Sequence, residues 1–171
     1  MDERITAGKA TKVPSGTPVV LATGAAIRTE ALHLTTEGSV EFWDLTDLVR
    51  DVVKRSMVRH GQVTVFAPHT TTSIVINESE TGFLNDFRRL IDAIAPKDGY
   101  FEHDDHELRT ENLQEDELLN GHAHVRQLLV GQPSVTVPIV DGEVILGQWQ
   151  RVLFVELDQA RERRVFIHAQ G

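Results

Sequence analysis

Two histidines, His122 and His124, lie two positions apart in the stretch NGHAHVRQLLVG. Asn120 is a favourable N-cap residue, because its side-chain oxygen can accept a backbone N–H of a first helical turn. Apolar residues at helical spacing follow the histidines, namely Val125, Leu128 and Leu129. Gly131, followed closely by a proline, is typical of a helix end. The pattern therefore predicts a helix over residues 121–130 with both imidazoles near its start.

The positive end of a helix disfavours a charged imidazolium, so this location favours neutral imidazoles at neutral pH. A neutral imidazole can bind a metal ion or act as a general base. The alternative is that His122 and His124 are ordinary polar residues of a first turn. Because residues two apart on a helix point about 200° apart, the two rings need not serve one site.

The stretch PHTTTSIVINE places His69 at the junction of two predicted strands, directly before four hydroxyl residues. These residues are Thr70, Thr71, Thr72 and Ser73. Hydroxyls and backbone N–H groups at such a junction can hold phosphate oxygens. The alternative is that the threonines are simply β-formers and that His69 is a surface residue.

A third stretch, YFEHDDHELRTEN, concentrates imidazole and carboxylate groups in a polar segment. The group consists of His103, Asp104, Asp105, His106 and Glu107. Mixed ligands of these types bind divalent ions, although a solvated acidic loop explains the same composition. A fourth stretch, DGEVILGQWQR, places Gly147 before Trp149 at a strand start, where backbone and substrate can approach closely. The indole of Trp149 predicts either an apolar wall for a ring or a core residue.

The composition narrows the class of protein. Hydrophobic residues make up 40% and charged residues 25% of the 171 residues, which is typical of one globular domain. The net charge of −9 argues against nucleic acid and against an anionic membrane surface as partners. The absence of cysteine excludes disulfides and sites built on thiolates. With no long apolar run near the start, we expect a cytoplasmic protein without a membrane span.

The order of the predicted elements is β-β-α-β-β-α-loop-α-β-β-β-β, which predicts an α+β fold with mixed or antiparallel sheets and three main helices. We interpret residues 1–24 as a partly ordered extension and residues 25–171 as a single domain. The acidic segment 97–119 is predicted to lack regular structure, as functional or mobile loops do. The last four strands are expected to form one antiparallel run that closes the fold.

Capping and helix-ending residues also predict where two earlier helices begin or end. The first has Thr46 as a predicted cap and Gly61 after its end. The second is stopped by Pro96 and carries five apolar residues on one predicted face. These residues are Phe83, Phe87, Leu90, Ile91 and Ile94.

Taken in order, five motifs resemble those of the YjbQ-like family, which is associated with secondary thiamine-phosphate synthase activity. The motifs are HTTTSIVINE, YFEHD, NGHAH, GQPSVTVPIVDGEVILGQWQ and RRVFIHAQG. The resemblance runs from Ile27 to Gly171 with compatible gaps and leaves the N-terminal extension outside. Five linked motifs are far more specific than any one of them.

The resemblance implies catalytic roles for His69, His103 and His124. It implies substrate-binding roles for a second set, namely Thr70, Thr71, Thr72, Asn77, Asn120, Trp149, Gln150, Arg163 and Arg164. His124 matches the family's histidine position, whereas His122 lies where many relatives have proline and is expected to be dispensable. The segment between His103 and His124 is longer than in short relatives, and we expect it to reshape the pocket.

The implied assembly is a homotrimer, or a multiple of it, with sites near subunit junctions. The implied reaction joins a pyrimidine pyrophosphate to a thiazole phosphate, with magnesium neutralising the leaving group. The candidate magnesium ligands are Glu78, Asp86 and Asp104. A second hypothesis is a metal-dependent hydrolase of a small phosphorylated molecule, whose zinc ligands would be His69, His103 and His124. A third hypothesis is a non-catalytic trimer that binds a ligand or serves a structural role.

Overall fold

The structure is a computed structural model that describes residues 11–24 and 27–171. The strands are β1 (Val19–Gly24), β2 (Ile27–Thr35), β3 (Glu41–Asp44), β4 (Gly61–Phe66), β5 (Thr72–Asn77), β6 (Ser134–Val140), β7 (Glu143–Val144), β8 (Arg151–Glu156) and β9 (Glu162–Gln170). The α-helices are α1 (Thr46–Ser56), α2 (Thr81–Ile94) and α3 (Gly121–Val130). A single 3₁₀ turn spans Glu102–Asp104 within the segment that the sequence predicts to be irregular.

The strands form two sheets. The large sheet has the order β1-β2-β9-β4-β6-β7, and the small sheet has the order β3-β8-β5. All paired strands in both sheets are antiparallel. The α+β class and the three main helices are therefore confirmed, and the sheets take the antiparallel form.

Helix α1 packs between the two sheets. Val49 and Val52 of α1 lie in one buried cluster with Val65 and Ile167 of the large sheet and Phe154 of the small sheet. Helix α2 covers the other face of the small sheet, in a second cluster that contains Phe42, Leu84, Ile91, Leu153 and Val155. Because β8 is covered on both faces, it carries a continuous apolar run instead of an alternating pattern.

The register of β5 against β8 fixes which residues share an end of the small sheet. Thr72 lies opposite Glu156, and Asn77 lies opposite Arg151. At about 3.4 Å per residue, the two ends of this strand pair lie about 17 Å apart. Residues that follow β8 therefore lie where β5 begins, and residues that precede β8 lie where β5 ends.

Strand β1 pairs with β2, so the predicted partly ordered extension 1–24 includes an ordered strand of the large sheet, while residues 1–10 lie outside the described residues. One prediction about chain organisation needs correction, because the last four strands do not form one run. Strands β6 and β7 form a hairpin, but β8 joins the small sheet and β9 lies between β2 and β4. The apolar run of β8 requires cover on both faces, which the edge of the large sheet does not offer.

The helix ends are also stabilised by residues other than those predicted. Asp44 Oδ1 accepts the backbone N–H of Thr46 at 2.9 Å, while the Thr46 hydroxyl accepts the N–H of Val152. Helix α1 ends at Ser56, and Met57 follows with a left-handed φ of 61°. No helix among the described residues is long and apolar enough to cross a membrane.

Candidate active site

The start of α3 is capped by Asp104, and not by the Asn120 side chain as predicted. Asp104 Oδ1 accepts the backbone N–H groups of Asn120 and Gly121, both at 2.9 Å. A carboxylate here satisfies two free donors and complements the helix dipole. The Asn120 amide instead donates to Asp158 Oδ2 at 3.0 Å. A Cβ at Gly121 would lie 2.5 Å from Phe101 Cβ, so only glycine allows this close approach.

Helix α3 forms over the predicted residues, but its buried face differs from the predicted apolar stripe. The buried residues are Gly121, His122, Ala123 and Arg126. Arg126 is fully buried, and its Nε donates to the Ala95 carbonyl at 2.9 Å while its Nη2 donates to Asp92 at 2.6 Å. These bonds turn Val125, Leu128 and Leu129 outward, and Leu128 is 80% exposed.

His122 lies in the interior and not on the surface of the first helical turn, while its expected dispensability for function stays a prediction. Its side chain is 1% exposed, and neither ring nitrogen has a hydrogen-bond partner in the described part of the chain. Burial lowers the pKa of His122, and the charge of Arg126 lowers it further. The ring is therefore neutral at neutral pH.

His103 and His124 form the closest contact between predicted catalytic residues, and we call them the histidine pair. Their ring centroids lie 4.4 Å apart, with the ring planes inclined at 51°. Burial lowers the pKa of His124, and the proximity of His103 lowers it further. His124 is therefore a neutral base at neutral pH, in the state that can accept a proton.

Arg109 and Glu117, from the long segment, contact His103 and were not predicted as site residues. Arg109 Nη1 donates to the His103 carbonyl at 3.0 Å and to Glu117 Oε1 at 2.7 Å. Arg109 and His103 also line a cavity of about 340 Å³. The sequence offers one signal for this contact, because Arg109 is the only lysine or arginine between residues 98 and 119.

Asp158 follows β8 and acts electrostatically on His124, and the sequence did not predict it as a site residue. Its side chain is fully buried, and Oδ2 lies 2.8 Å from Arg161 Nε and 3.8 Å from Arg163 Nη2, besides accepting from Asn120. Its negative charge partly offsets the lowering of the His124 pKa by burial. Acidic and basic residues at 156, 158, 161 and 163 flank apolar strands, and this pattern could have indicated buried ion pairs.

Arg163 lies at the same end of the small sheet, where its guanidinium is engaged by a buried carboxylate. Its Nε donates to Glu156 Oε2 and its Nη2 to Glu156 Oε1, both at 2.6 Å. Nη2 also donates to the Thr71 hydroxyl at 3.0 Å. The positive charge of Arg163 is therefore balanced before any substrate arrives.

His69 has partners different from those of the histidine pair. Its Nε2 accepts the backbone N–H of Arg164 at 3.0 Å. Burial lowers the pKa of His69, and the charge of Arg163 lowers it further. The Arg164 side chain is exposed and lies over the Phe166 ring, 4.8 Å from its centroid. His69 and Arg164 together therefore offer a neutral imidazole and an accessible cation.

The four predicted hydroxyl residues do not present one surface. Thr70 is exposed, whereas Thr71 is buried and bound to Arg163. Thr72 and Ser73 are buried, and their hydroxyls have no hydrogen-bond partner among the residues the structure covers. Only Thr70 of this group is placed to reach a substrate from solvent.

Trp149 and Gln150 lie at the opposite end of the small sheet, beside the end of β5. Trp149 is 67% exposed and lines a cavity of about 390 Å³ with Glu78. Gln150 Oε1 accepts the backbone N–H of Gly147 at 2.7 Å, which closes a tight turn. Asn77 ends β5 at the same place and is exposed.

Within one chain, the predicted site residues therefore lie at two separate ends of the small sheet. The histidine pair, Asp158 and His69 belong to the end where β5 begins, while Trp149 belongs to the other end. The ends are about 17 Å apart along the strands. Trp149 therefore does not form a wall for the histidine pair of its own chain.

The candidate metal ligands have separate surroundings. Asp86 pairs with Arg89 on the exposed side of α2, Asp104 caps α3, and Glu78 lies beside Trp149. Within residues 11–24 and 27–171, no three or more histidine, aspartate or glutamate side chains are arranged to hold a metal ion. The described residues of one chain thus bring together neither the magnesium set nor the three-histidine zinc set.

Comparison with known proteins identifies the family of this chain. A family model described as UPF0047 protein YjbQ-like matches residues 30–171. A UPF0047 protein of Archaeoglobus fulgidus is 40% identical over 138 residues, which cover 81% of this chain and 98% of the relative. The UPF0047 protein YugU of Bacillus subtilis is 30% identical over 145 residues, which cover 83% and 98%.

Solved structures with a similar fold support the same family. A YbjQ-like protein of unknown function from Sulfolobus solfataricus P2 superposes with a TM-score of 0.72 at 29% identity, covering 85% of this chain and 97% of that one. A hypothetical protein from Aeropyrum pernix K1 gives a TM-score of 0.72 at 30% identity, covering 84% and 98%. The chain, with its histidine pair and its two antiparallel sheets, belongs to the UPF0047 (YjbQ-like) family.

Proposed function

We propose that this protein is a transferase of the thiamine-phosphate synthase type, acting with low activity around the histidine pair. The observation that carries the proposal is the contact of His103 with His124, two imidazoles with ring centroids 4.4 Å apart. The reaction class comes from the sequence resemblance, since the relatives are known only as a family. The proposed substrates are a pyrimidine pyrophosphate and a thiazole phosphate.

The reaction breaks a C–O bond to pyrophosphate and forms a C–N bond to the thiazole nitrogen. Catalysis must therefore stabilise negative charge on the leaving pyrophosphate and positive charge on the pyrimidine carbon. A ring N–H of the neutral His124 supplies a donor to an ionised pyrophosphate oxygen, and the charge of that oxygen strengthens the hydrogen bond. Arg164 and His69 supply a cation and a polar ring at the neighbouring strand end, where a phosphate can bind.

The magnesium that such a reaction uses would arrive with the pyrophosphate. The separate locations of Glu78, Asp86 and Asp104 support this proposal, since the described residues of one chain offer no ready-made cation site. We therefore expect product formation to require added magnesium, while the purified protein retains none in stoichiometric amount.

We further propose that the protein acts as a homotrimer with the site completed across a subunit junction. Two observations support this proposal. The exposed Trp149 lies at the end of the small sheet away from the histidine pair, so Trp149 can form a wall for that pair only across a junction between two chains. Apolar side chains of α3 are also left uncovered in one chain, namely Val125, Leu128 and Leu129.

The deciding experiment is synthesis of thiamine phosphate by the purified protein with both phosphorylated halves and magnesium. His103→Asn and His124→Asn should each lower the rate by about tenfold or more, as loss of one useful bond to charge does. His106→Asn is the matched control, because His106 is exposed in the same segment and should leave the rate unchanged. Product no greater than in a heat-treated sample would overturn the proposal. Phosphate release from a simple phosphoester would then favour the hydrolase, and binding without turnover would favour the non-catalytic trimer.

A further inference from the structure

Asn120 is held from two directions at the start of α3. Its backbone N–H donates to Asp104 Oδ1 at 2.9 Å, and its side-chain amide donates to Asp158 Oδ2 at 3.0 Å. Its carbonyl accepts the backbone N–H groups of Ala123 at 2.8 Å and of His124 at 3.3 Å. Asn120 therefore connects the turn that carries His124 to two carboxylates.

The two carboxylates belong to different parts of the fold. Asp104 directly follows His103 in the chain, so its bonds join the segment of His103 to the start of α3. Asp158 follows β8, and its backbone N–H donates to Oε1 of the buried Glu156 at 3.0 Å. The bond from Asn120 to Asp158 therefore joins the first turn of α3 to the end of the small sheet.

The bond between Asn120 and Asp158 lies in the interior, where both side chains are buried. The second oxygen of Asp158 and the side-chain oxygen of Asn120 have no hydrogen-bond partner among the residues that the structure describes. The loss of either side chain thus leaves the other one buried without this bond, which is unfavourable. Hydrogen bonds of this kind fix the orientation of the element that carries a site residue.

Arg126 provides a second anchor for the same helix. Its guanidinium binds Asp92 in α2 and the carbonyl of Ala95 directly after α2. His124 lies between the two anchored positions, Asn120 and Arg126. Loss of the first anchor leaves the turn of His124 joined to the Asp104 segment but no longer to the end of β8.

We propose that Asn120 and Asp158 are positioning residues that hold the ring of His124 against His103. The role belongs to the hydrogen bond between them and not to the charge of Asp158. It takes the place of the substrate contact that the resemblance implies for Asn120, because the Asn120 side chain is buried and its amide already has an acceptor. The effect on catalysis rests on the proposed function, but the positioning does not.

The ring contact can be observed directly by nuclear Overhauser effects between the ring protons of His103 and His124. Histidine-labelled protein at one fixed pH is used, and His103→Asn and His124→Asn assign the signals. Asn120→Ala and Asp158→Ala each remove the bond and should abolish most of the effect. Asp158→Asn keeps a side-chain oxygen that accepts from Asn120 and should preserve the effect. A loss in Asp158→Asn equal to that in Asp158→Ala would overturn the proposal, since the charge would then carry the role.

Thr46→Val is the matched control for a loss of stability without a loss of position. The Thr46 hydroxyl accepts the backbone N–H of Val152 in the interior at the other end of the small sheet, so this variant also removes one buried hydrogen bond. It should lower the melting temperature, as Asn120→Ala does, and leave the effect between the histidine rings intact. An effect that persists in Asn120→Ala, or that weakens equally in Thr46→Val, would also overturn the proposal.

These measurements are made without substrate, so they stand whether or not thiamine phosphate forms. If the protein is active, Asn120→Ala should lower kcat by about tenfold or more and leave KM within about twofold, because a displaced base loses stabilisation of the transition state and not binding of the substrate. A raised KM with unchanged kcat would return Asn120 to substrate contact and overturn its positioning role. An active protein with that result leaves the transferase proposal intact.

Discussion

Glu156 and Arg163 join the two sheets through a buried ion pair with two hydrogen bonds of 2.6 Å. Glu156 ends β8 in the small sheet, and Arg163 lies in β9 of the large sheet. Both side chains are buried, so each charge depends on the other for compensation. The same guanidinium binds Thr71, next to the predicted phosphate-binding residues.

We expect Arg163→Met to lower the free energy of unfolding by about 3–5 kcal/mol, because it leaves the Glu156 charge buried and unpaired. The double variant with Glu156→Met should recover a large part of that loss. Urea unfolding measures both effects. Arg59→Met is the control, since Arg59 forms an exposed pair with Asp141 at 2.8 Å and should change stability by less than about 1 kcal/mol. Equal effects of the Arg163 and Arg59 variants would contradict this account.

Removal of the cap of α3 should also destabilise the protein. Asp104→Ala leaves two N–H groups without their acceptor and should lower the free energy of unfolding by about 1–2 kcal/mol. Asp104→Asn keeps a side-chain oxygen and should lose less. Asp98→Ala, an exposed change in the same segment, should stay within about 0.5 kcal/mol of the parent. A loss for Asp104→Ala no larger than for Asp98→Ala would show that another group caps the helix.

Stability should fall as the pH drops below about 6.5, the ordinary pKa of histidine. The pKa values of His69, His122 and His124 are lowered in the folded state, chiefly by burial. The unfolded chain therefore binds protons first as the pH falls, and stability is present above that pH and lost below it. Each proton contributes a slope of at most about 1.4 kcal/mol per pH unit.

Unfolding at pH 7.5 and pH 5.5 measures this slope before most carboxylates titrate. His122→Phe should make this slope shallower, because it removes one of the imidazoles whose pKa is lowered in the folded state. Equal stability of the parent protein at the two pH values would be inconsistent with three imidazoles whose pKa values are lowered in the folded state.

The trimer proposal predicts a mass near three times the 19.1 kDa of one chain, or a multiple of that, by light scattering. Leu128→Glu should lower the mass, because a charge replaces an exposed apolar residue that we expect another chain to cover. Met57→Glu is the matched control at another exposed apolar residue and should keep the mass of the parent. A folded monomer in the parent protein would leave Trp149 without a partner and remove the shared site.

Local patterns predicted most elements because they reflect burial and chain geometry. Pro96 directly after the cap of α2 and Gly131 at the cap of α3 each record a local constraint at a helix end. The pairing of β8 and β9 with different partners could not be predicted, because it depends on contacts between residues far apart in sequence. The orientation of α3 was wrong for a related reason. Arg126 binds Asp92 in α2 and the carbonyl of Ala95 directly after α2, and these bonds outweigh the apolar stripe.

The candidate site also contains some features that the sequence predicted and others that depend on contacts between distant residues. The motif match brought together His103 and His124, which are in contact, and also Trp149, which lies at the far end of the small sheet. A match of sequence motifs shows which residue types are present in order along the chain. It does not show which of these residues lie together in space. Asp158 and Arg109 were missed because each is one charged residue among many until folding gives it partners.

The capping of α3 by Asp104 makes the segment before the helix and the start of the helix one cooperative opening unit. The amide protons of Asn120 and Gly121 should exchange with solvent only when Asp104 moves away. Any motion of the segment that admits a substrate to the histidine pair would also fray the turn that carries His124. Ligand affinity and local unfolding are then linked, so a ligand that holds the segment closed should slow the exchange of these two amides.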